Sequence, residues 1–467
     1  MPAGFPPAFT WGAATASYQI EGAWRDDGRG LSIWDTFSHE PGNVAGGDTG
    51  DVACDHYHRS AQDVALFGEM GLGAYRFSVA WPRIQPTGAG QPNAKGLDFY
   101  SRLVDNLLAA GIAPVLTLYH WDLPQALQDV GGWTSRETAL RFGDYAEIVA
   151  AALGDRVHTW TTLNEPWCSS FLSYASGIHA PGLHDDAAAL AAAHHLNFAH
   201  GLGAQAVRSV LDERARVSVT LNVHAIRAAS SSEADLDAKR QIDAVGNEIF
   251  IGPMLEGSYP EDLLSDTAAI SDWAFVRPGD LIDAQQPIEA LGVNYYSTST
   301  VRRLPKGQVA TGSGGHGSTG YSPWVGAGSV EFLPPTGPLT AMGWNIEPEA
   351  LTTLLTDLHR RFPDLELMVT ENGAAFEDEV GPSGVSDPRR IDYLDRHIGA
   401  VGAAIEAGVP VTAYFVWSAM DNFEWAYGYA KRFGLIYVDY ATQERVWKDS
   451  ARWYRDLIAA HGEHRGQ

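Results

Sequence analysis

Glu366-Leu367-Met368-Val369-Thr370-Glu371-Asn372-Gly373 is a short apolar run that ends in a carboxylate, an amide and a glycine. Its continuously apolar part, about 366–370, reads as a strand buried on both faces of a parallel sheet. A helix-length amphipathic segment follows at about 389–406, and then a second apolar run at about 411–417. That order predicts strand, crossover helix and parallel strand, because parallel neighbours can be joined only by a long crossover, usually a helix.

The same unit recurs along the chain. Apolar runs at about 9–16, 73–80, 113–119, 158–163, 216–223 and 290–296 precede the two already described. Amphipathic segments at about 58–70, 97–110, 137–152, 187–213, 235–250, 348–361 and 447–460 join 389–406 in separating or following them. Strand then helix, eight times over, predicts the α/β class and a single (β/α)8 TIM barrel, with its active site at the C-terminal ends of the strands. One catalytic domain over 1–467 is the expectation, since such barrels routinely exceed the usual domain length. One βα loop, about 297–347, is long and shows no strong periodicity. Its glycine-rich part, residues 311–320, reads either as a flexible surface loop or as a lid over the barrel mouth.

Hydrophobic residues make up 45% of the chain, enough for a large core. The formal net charge is −25, and that sign opposes nucleic acid and anionic membranes as partners. Cys54 and Cys168 lie far apart and form no CxxC pair, so reduced thiols in a cytoplasmic chain are expected. The start, Met1-Pro2-Ala3-Gly4-Phe5-Pro6-Pro7, lacks the basic and apolar regions of a secretory signal. No run of about 18 uncharged apolar residues predicts a membrane span. A homo-oligomer is compatible with the sequence.

Because barrel catalysis sits at strand ends, the polar residues there carry the argument. The fourth run ends in Thr162-Leu163-Asn164-Glu165-Pro166 and the seventh in Thr370-Glu371-Asn372-Gly373. Two carboxylates facing one mouth are what glycoside hydrolysis needs, one to protonate the departing oxygen and one to attack the anomeric carbon or activate a water. A lone glutamate at a strand end is more often a cap or an ion-pair partner; two, each beside an asparagine, favour chemistry. The other strand ends agree: His120-Trp121-Asp122, Asn294-Tyr295-Tyr296, and Trp417 followed by Asn422-Phe423-Glu424-Trp425. Indole faces cover the CH patches of sugars while Glu, Gln, Asn and His bond their hydroxyls. Metal chemistry finds no comparable set. His56 and His58 are spaced i, i+2, and His194, His195 and His200 sit in an alanine-rich helix without a zinc-type pattern. No cofactor motif is present.

These motifs resemble glycoside hydrolase family 1, the retaining β-glucosidase family, from Phe9 to about Trp453. The strongest matches are Phe9-Thr10-Trp11-Gly12-Ala13-Ala14-Thr15-Ala16-Ser17-Tyr18-Gln19-Ile20-Glu21-Gly22, the two glutamate motifs, Arg76-Phe77-Ser78, and the tail from Trp417 through Trp425 to Arg432-Phe433-Gly434-Leu435. The resemblance implies Glu165 as acid/base and Glu371 as nucleophile, with Arg76, Asn294 and Tyr296 supporting the nucleophile. It implies sugar contacts from Gln19, His120, Trp121, Asn164, Trp417, Glu424, Trp425 and Phe433. Trp344, in Met342-Gly343-Trp344, matches the aglycone platform, and Trp167, Cys168 and His179 are placed on the same side; Cys168 reads equally well as a packing thiol. Thioglucoside-cleaving members carry Gln at the acid/base position, where this chain has Glu165. Members acting on 6-phosphosugars carry a small hydroxyl residue at the position of Glu424, where a carboxylate repels phosphate.

The implied reaction is hydrolysis of terminal non-reducing β-D-glucosyl residues by double displacement, on small β-glycosides and oligosaccharides such as cellobiose and in the context of cellulose breakdown. Two alternatives stand beside it: a transglycosylase with the same site, and a catalytically inactive sugar-binding barrel.

Overall fold

All eight apolar runs are strands: β1 Thr10–Ala14, β2 Ala74–Ser78, β3 Ala113–Tyr119, β4 Thr159–Asn164, β5 Arg216–Leu221, β6 Ala290–Asn294, β7 Glu366–Asn372 and β8 Val411–Trp417. In the computed structural model they form a closed parallel barrel in the order β1-β8-β7-β6-β5-β4-β3-β2. The structure describes all residues except 1–3, 309, 311–313, 318, 382–383 and 465–467. The outer ring contains α1 His56–Glu69, α2 Ala94–Ala109, α3 Arg136–Leu153, α4 Asp186–Leu211, α5 Glu233–Asp243, α6 Pro348–Arg361, α7 Pro388–Glu406 and α8 Asp449–His464.

Helical periodicity accounts for the ring. In α2 the buried side chains include Phe99, Tyr100, Leu103, Val104 and Leu107, one stripe at i, i+1, i+4, i+5 and i+8 that faces the barrel. In α6 the stripe is Leu351, Leu354, Leu355 and Leu358.

The register matters most where it breaks. Between β4 and β5 the pairing runs from Thr161↔Ser218 to Asn164↔Thr220, so β4 carries one extra residue just before Glu165. Between β7 and β6 it runs from Val369↔Val293 to Glu371↔Asn294, so β7 carries one extra residue at Glu371. An extra residue bends a strand and re-aims the side chains that follow, and both glutamate strands use this device at the rim.

Three sequence expectations change. The 297–347 segment is not without regular structure: Thr298–Arg303 pairs in parallel with Ala225–Ala228 and antiparallel with Val330–Phe332. The β-branched Thr298, Thr300 and Val301 favour that strand, but Val301 is its one apolar residue, so it shows neither an apolar run nor an alternating pattern. The last helix begins at Asp449 rather than 447, because Glu444–Trp447 is a strand paired with Ile436–Asp439. The fifth helix does not stop near 250 but continues through π-helical turns to Glu256. Residues 311–313 and 318 of the glycine-rich run lie outside the described residues. Its described part lies against the mouth: Trp344 Nε1 donates to the Gly315 carbonyl at 3.1 Å, and the Thr319 hydroxyl donates to the Ser176 carbonyl.

Candidate active site

A pocket opens at the C-terminal ends of the strands, with Glu165 and Glu371 both in its lining. Their exposures are 6% and 3%, so each carboxyl is almost wholly out of water. Glu165 sits immediately after β4 with φ +45°, in the left-handed region. Trp121, in the turn that follows β3 (φ +76°), and Trp425, in the loop beyond β8 (φ +47°), share that conformation. Non-glycine residues hold such a conformation only where their surroundings enforce it, and functional sites collect them.

The two glutamates have different neighbours. Glu371 Oε1 accepts from Arg76 at 2.7 Å and its Oε2 accepts from the Tyr296 hydroxyl at 2.8 Å. Arg76 lies on β2 and is fully buried, and its other terminal nitrogen donates to Asn164 Oδ1 at 2.7 Å. Glu165 Oε1 accepts from Asn294 Nδ2 at 2.7 Å, and its Oε2 accepts from the Cys168 thiol at 3.2 Å. Asn294 is fixed in turn by Thr370, whose hydroxyl donates to Asn294 Oδ1 at 2.8 Å.

Burial pushes the Glu165 carboxyl up to about 8, and the charge on Glu371 adds to the rise. Burial also raises Glu371, but the Arg76 guanidinium and the bonds from Arg76 and Tyr296 pull against it. Glu371 therefore ionises first. Burial thus precedes the charge of Glu371 as the reason Glu165 stays protonated. Glu424 is likewise pushed up to about 8 by burial, then by the charges of Glu371 and Glu165.

Two buried polar atoms beside the glutamates have no protein partner. Burial, then Arg76, holds His120 well below the usual imidazole range, so the ring is neutral. Its Nε2 faces Asn164 Nδ2 at 3.0 Å, and its buried Nδ1 has no protein partner. Gln19 Oε1 is also buried and unpartnered, while Gln19 Nε2 donates to Asn422 Oδ1 at 3.0 Å and the Phe423 carbonyl at 2.8 Å, with Glu424 Oε2 at 3.4 Å. Buried polar atoms are nearly always bonded, so these two stand out beside the pocket.

Of the sequence-predicted residues, His120, Trp121, Glu165, Cys168, His179, Asn294, Tyr296, Trp344, Glu371, Trp417, Glu424, Trp425 and Phe433 line the pocket. Gln19, Arg76 and Asn164 stand behind the lining and are bonded to it. Trp167 does not line it: the ring is fully buried and packs on His224, His316 and Trp324. Asn222, His224, Ser299, His316 and Tyr427 line the pocket and were not anticipated. Asn222 was legible in principle, since β5 ends at Leu221 rather than 223 and Asn222 is its strand-end polar residue.

The rejected histidines are structural: His56 Nδ1 contacts Asp63 at 2.7 Å, His194 Nε2 contacts Asp280 at 2.9 Å, and His200 Nδ1 contacts Thr162 at 2.7 Å. Among the described residues no group of three or more His, Cys, Asp or Glu side chains could hold a metal ion. No described helix is long and apolar enough to cross a membrane. Cys54 and Cys168 are both buried and free.

Comparison with known proteins places this geometry among relatives. The family model for glycosyl hydrolase family 1 matches residues 1–463. The chain is 54% identical over 466 residues to a bifunctional beta-D-glucosidase/beta-D-fucosidase of Bifidobacterium breve, covering 98% of each. It is 44% identical over 460 residues to beta-glucosidase A of Thermotoga maritima, again covering 98% of each. Among solved structures, a psychrophilic beta-glucosidase from Micrococcus antarcticus matches with a TM-score of 0.93 at 48% identity over 98% of both chains. The T. maritima family 1 enzyme in complex with isofagomine lactam matches at 0.90 and 44% identity, over 98% of this chain and 99% of that one.

Proposed function

The chain belongs to glycosyl hydrolase family 1, and on that premise we propose how it works as a retaining β-glucosidase: Glu371 is the nucleophile and Glu165 the general acid and base. The observation that carries this reading is the electrostatic split between two buried glutamates at facing strand ends, one paired with Arg76 and one with no cation bonded to it among the described residues. Two carboxyls whose environments push their proton affinities apart divide into acid and base roles.

In the first step a Glu371 oxygen forms a bond to the anomeric carbon, the bond from that carbon to the aglycone oxygen breaks, and Glu165 gives its proton to that oxygen. Glu371 is now an ester and carries no charge, so the second cause of the raised Glu165 pKa disappears. Glu165 then takes a proton from water, whose oxygen attacks the anomeric carbon, and the carboxylate of Glu371 leaves. Two inversions return the β configuration. Arg76 and Tyr296 hold Glu371 through both steps. The unpartnered Gln19 Oε1 and His120 Nδ1, together with Glu424, bond the sugar hydroxyls, while Trp417 and Trp425 cover its apolar face.

The proposed substrates are small β-D-glucosides and short oligosaccharides such as cellobiose, cleaved from the non-reducing end as in cellulose breakdown. The Bifidobacterium relative's name joins glucosides with fucosides, and both fit this reading. The two free buried thiols accord with a cytoplasmic location.

Azide tests the assignment. It needs no general base and fits the space of a removed side chain. Glu165→Ala with azide should yield the β-glycosyl azide and Glu371→Gly the α-azide. The opposite pairing would mean that the two roles are reversed.

A further inference from the structure

Cys168 lies three residues beyond Glu165, at the start of the π-helical segment Cys168–Ala175. Its backbone N–H donates to the Glu165 carbonyl at 3.0 Å, which ties the residue to the turn carrying the glutamate. Its sulfur lies 3.2 Å from Glu165 Oε2. On the far side Asn222 Nδ2 donates to the same sulfur at 3.6 Å. A thiol has one proton and weak acceptor lone pairs. With an amide N–H directed at the sulfur, the S–H is left to point at the carboxyl. Burial, then the charge of Glu165, pushes the Cys168 thiol well up, so it remains a donor rather than a thiolate.

The two carboxyl oxygens of Glu165 are thereby distinguished. Oε1 is committed to Asn294 at 2.7 Å, a strong amide donor that disfavours a proton there. The exchangeable proton belongs on Oε2, the oxygen facing Cys168. Among the described residues these two side chains are the donors to Glu165, and Arg76 binds the other glutamate instead.

We propose that Cys168 is a positioning residue for Glu165: its S–H, aimed by Asn222, holds Oε2 in place as the proton-exchanging oxygen and eases its ionisation inside the buried pocket. This inference rests on the reading of Glu165 as the acid and base. It gives Cys168 a function beyond packing or lining the aglycone side. A donor to Oε2 favours the carboxylate, which opposes the upward push of burial.

The test is the pH dependence of kcat/KM on an alkyl β-glucoside, whose poor leaving group needs the acid. Glu165 must be protonated, so its pKa sets the basic limb. Removing the S–H removes a donor to the carboxylate, so the Glu165 pKa should rise and the basic limb move to higher pH. Cys168→Ala and Cys168→Val both lack the donor but differ in volume. Each should shift the limb upward by about half a pH unit or more. Cys168→Ser supplies an O–H in the same place and should return the limb to its wild-type position or below. Asn222→Ala should shift it in the same direction as Cys168→Ala but less. Melting temperatures measured alongside report packing separately. A limb that stays put in the Ala and Val variants overturns the proposal, and so does a Ser variant that behaves like them. Glu165→Gln separates the two levels of inference. If the basic limb persists in that variant, the acid/base assignment has failed; if it vanishes while Cys168 variants leave the limb unmoved, only the role of Cys168 has.

Discussion

The rims of β7 and β4 present the same side chain in the same degree of burial, and the sequence around each is similarly short and polar. They differ in what faces the carboxyl. At the β7 rim a buried guanidinium and a phenol bond both oxygens of Glu371. At the β4 rim an amide and a thiol bond Glu165, and neither carries charge. Residue type alone therefore does not decide between nucleophile and acid. On the proposed assignment the difference lies in Arg76, contributed from β2, which bonds Glu371 and not Glu165.

The largest expected break in this comparison comes from deleting each carboxyl. Glu371→Gly should abolish hydrolysis of every glycoside, because no covalent intermediate forms. Glu165→Ala should lose about 10²–10⁴-fold, the range general acid–base groups supply. On a nitrophenyl glucoside its first step should survive and the second stall, giving a burst followed by slow turnover. A Glu165→Ala enzyme without a burst on that substrate would erase the distinction. Arg76→Lys should have the next effect. It keeps the charge but loses the fork that reaches Glu371 and Asn164 together. Weaker support raises the Glu371 pKa, so the acid limb of kcat/KM should move up by about one pH unit. An unmoved acid limb would show that Arg76 does not set the ionisation of Glu371.

The smallest effect concerns stability. Glu165 and Glu424 are both raised to about 8 in the folded protein from a usual value of about 4.5. A raised folded value means that folding favours the protonated carboxyl. The associated stability is present below about 4.5 and is lost as pH rises toward about 8. Glutamine is neutral throughout, so Glu165→Gln and Glu424→Gln should melt about 1–4 °C above wild type at high pH and close to it at low pH. An equal difference at both pH values would sever the link between burial and these proton affinities.

The barrel was legible because strands buried on both faces are written as unbroken apolar runs and the crossover helices as 3.6-residue stripes. All eight strands, β1 to β8, follow from that. The glutamates and their aromatic surroundings were legible because strand ends locate a barrel's active site, and every predicted aromatic except Trp167 lines the pocket. Trp167 misled because it directly follows Glu165-Pro166, yet its ring turns behind the wall. What escaped was carried by loops: Thr298–Arg303 has one apolar residue and so no readable pattern, and His224 and His316 reach the mouth from segments whose path depends on tertiary contacts. The bond between Cys168 and Glu165 depends on the left-handed turn at Glu165, which no local pattern announces.

The extra residue in β4 and the one in β7 also set a length scale. A strand advances about 3.3 Å per residue. Retaining glycosidases hold their two carboxyls about 5–5.5 Å apart, whereas inverting ones hold them about 6.5–9.5 Å apart to admit a water between. One residue of register is thus comparable to the whole gap between the two stereochemical outcomes. A barrel with perfectly matched strands could adjust that spacing only in coarse steps. A local bulge on each glutamate strand instead re-aims the side chain that follows it while the rest of the barrel keeps its ladder.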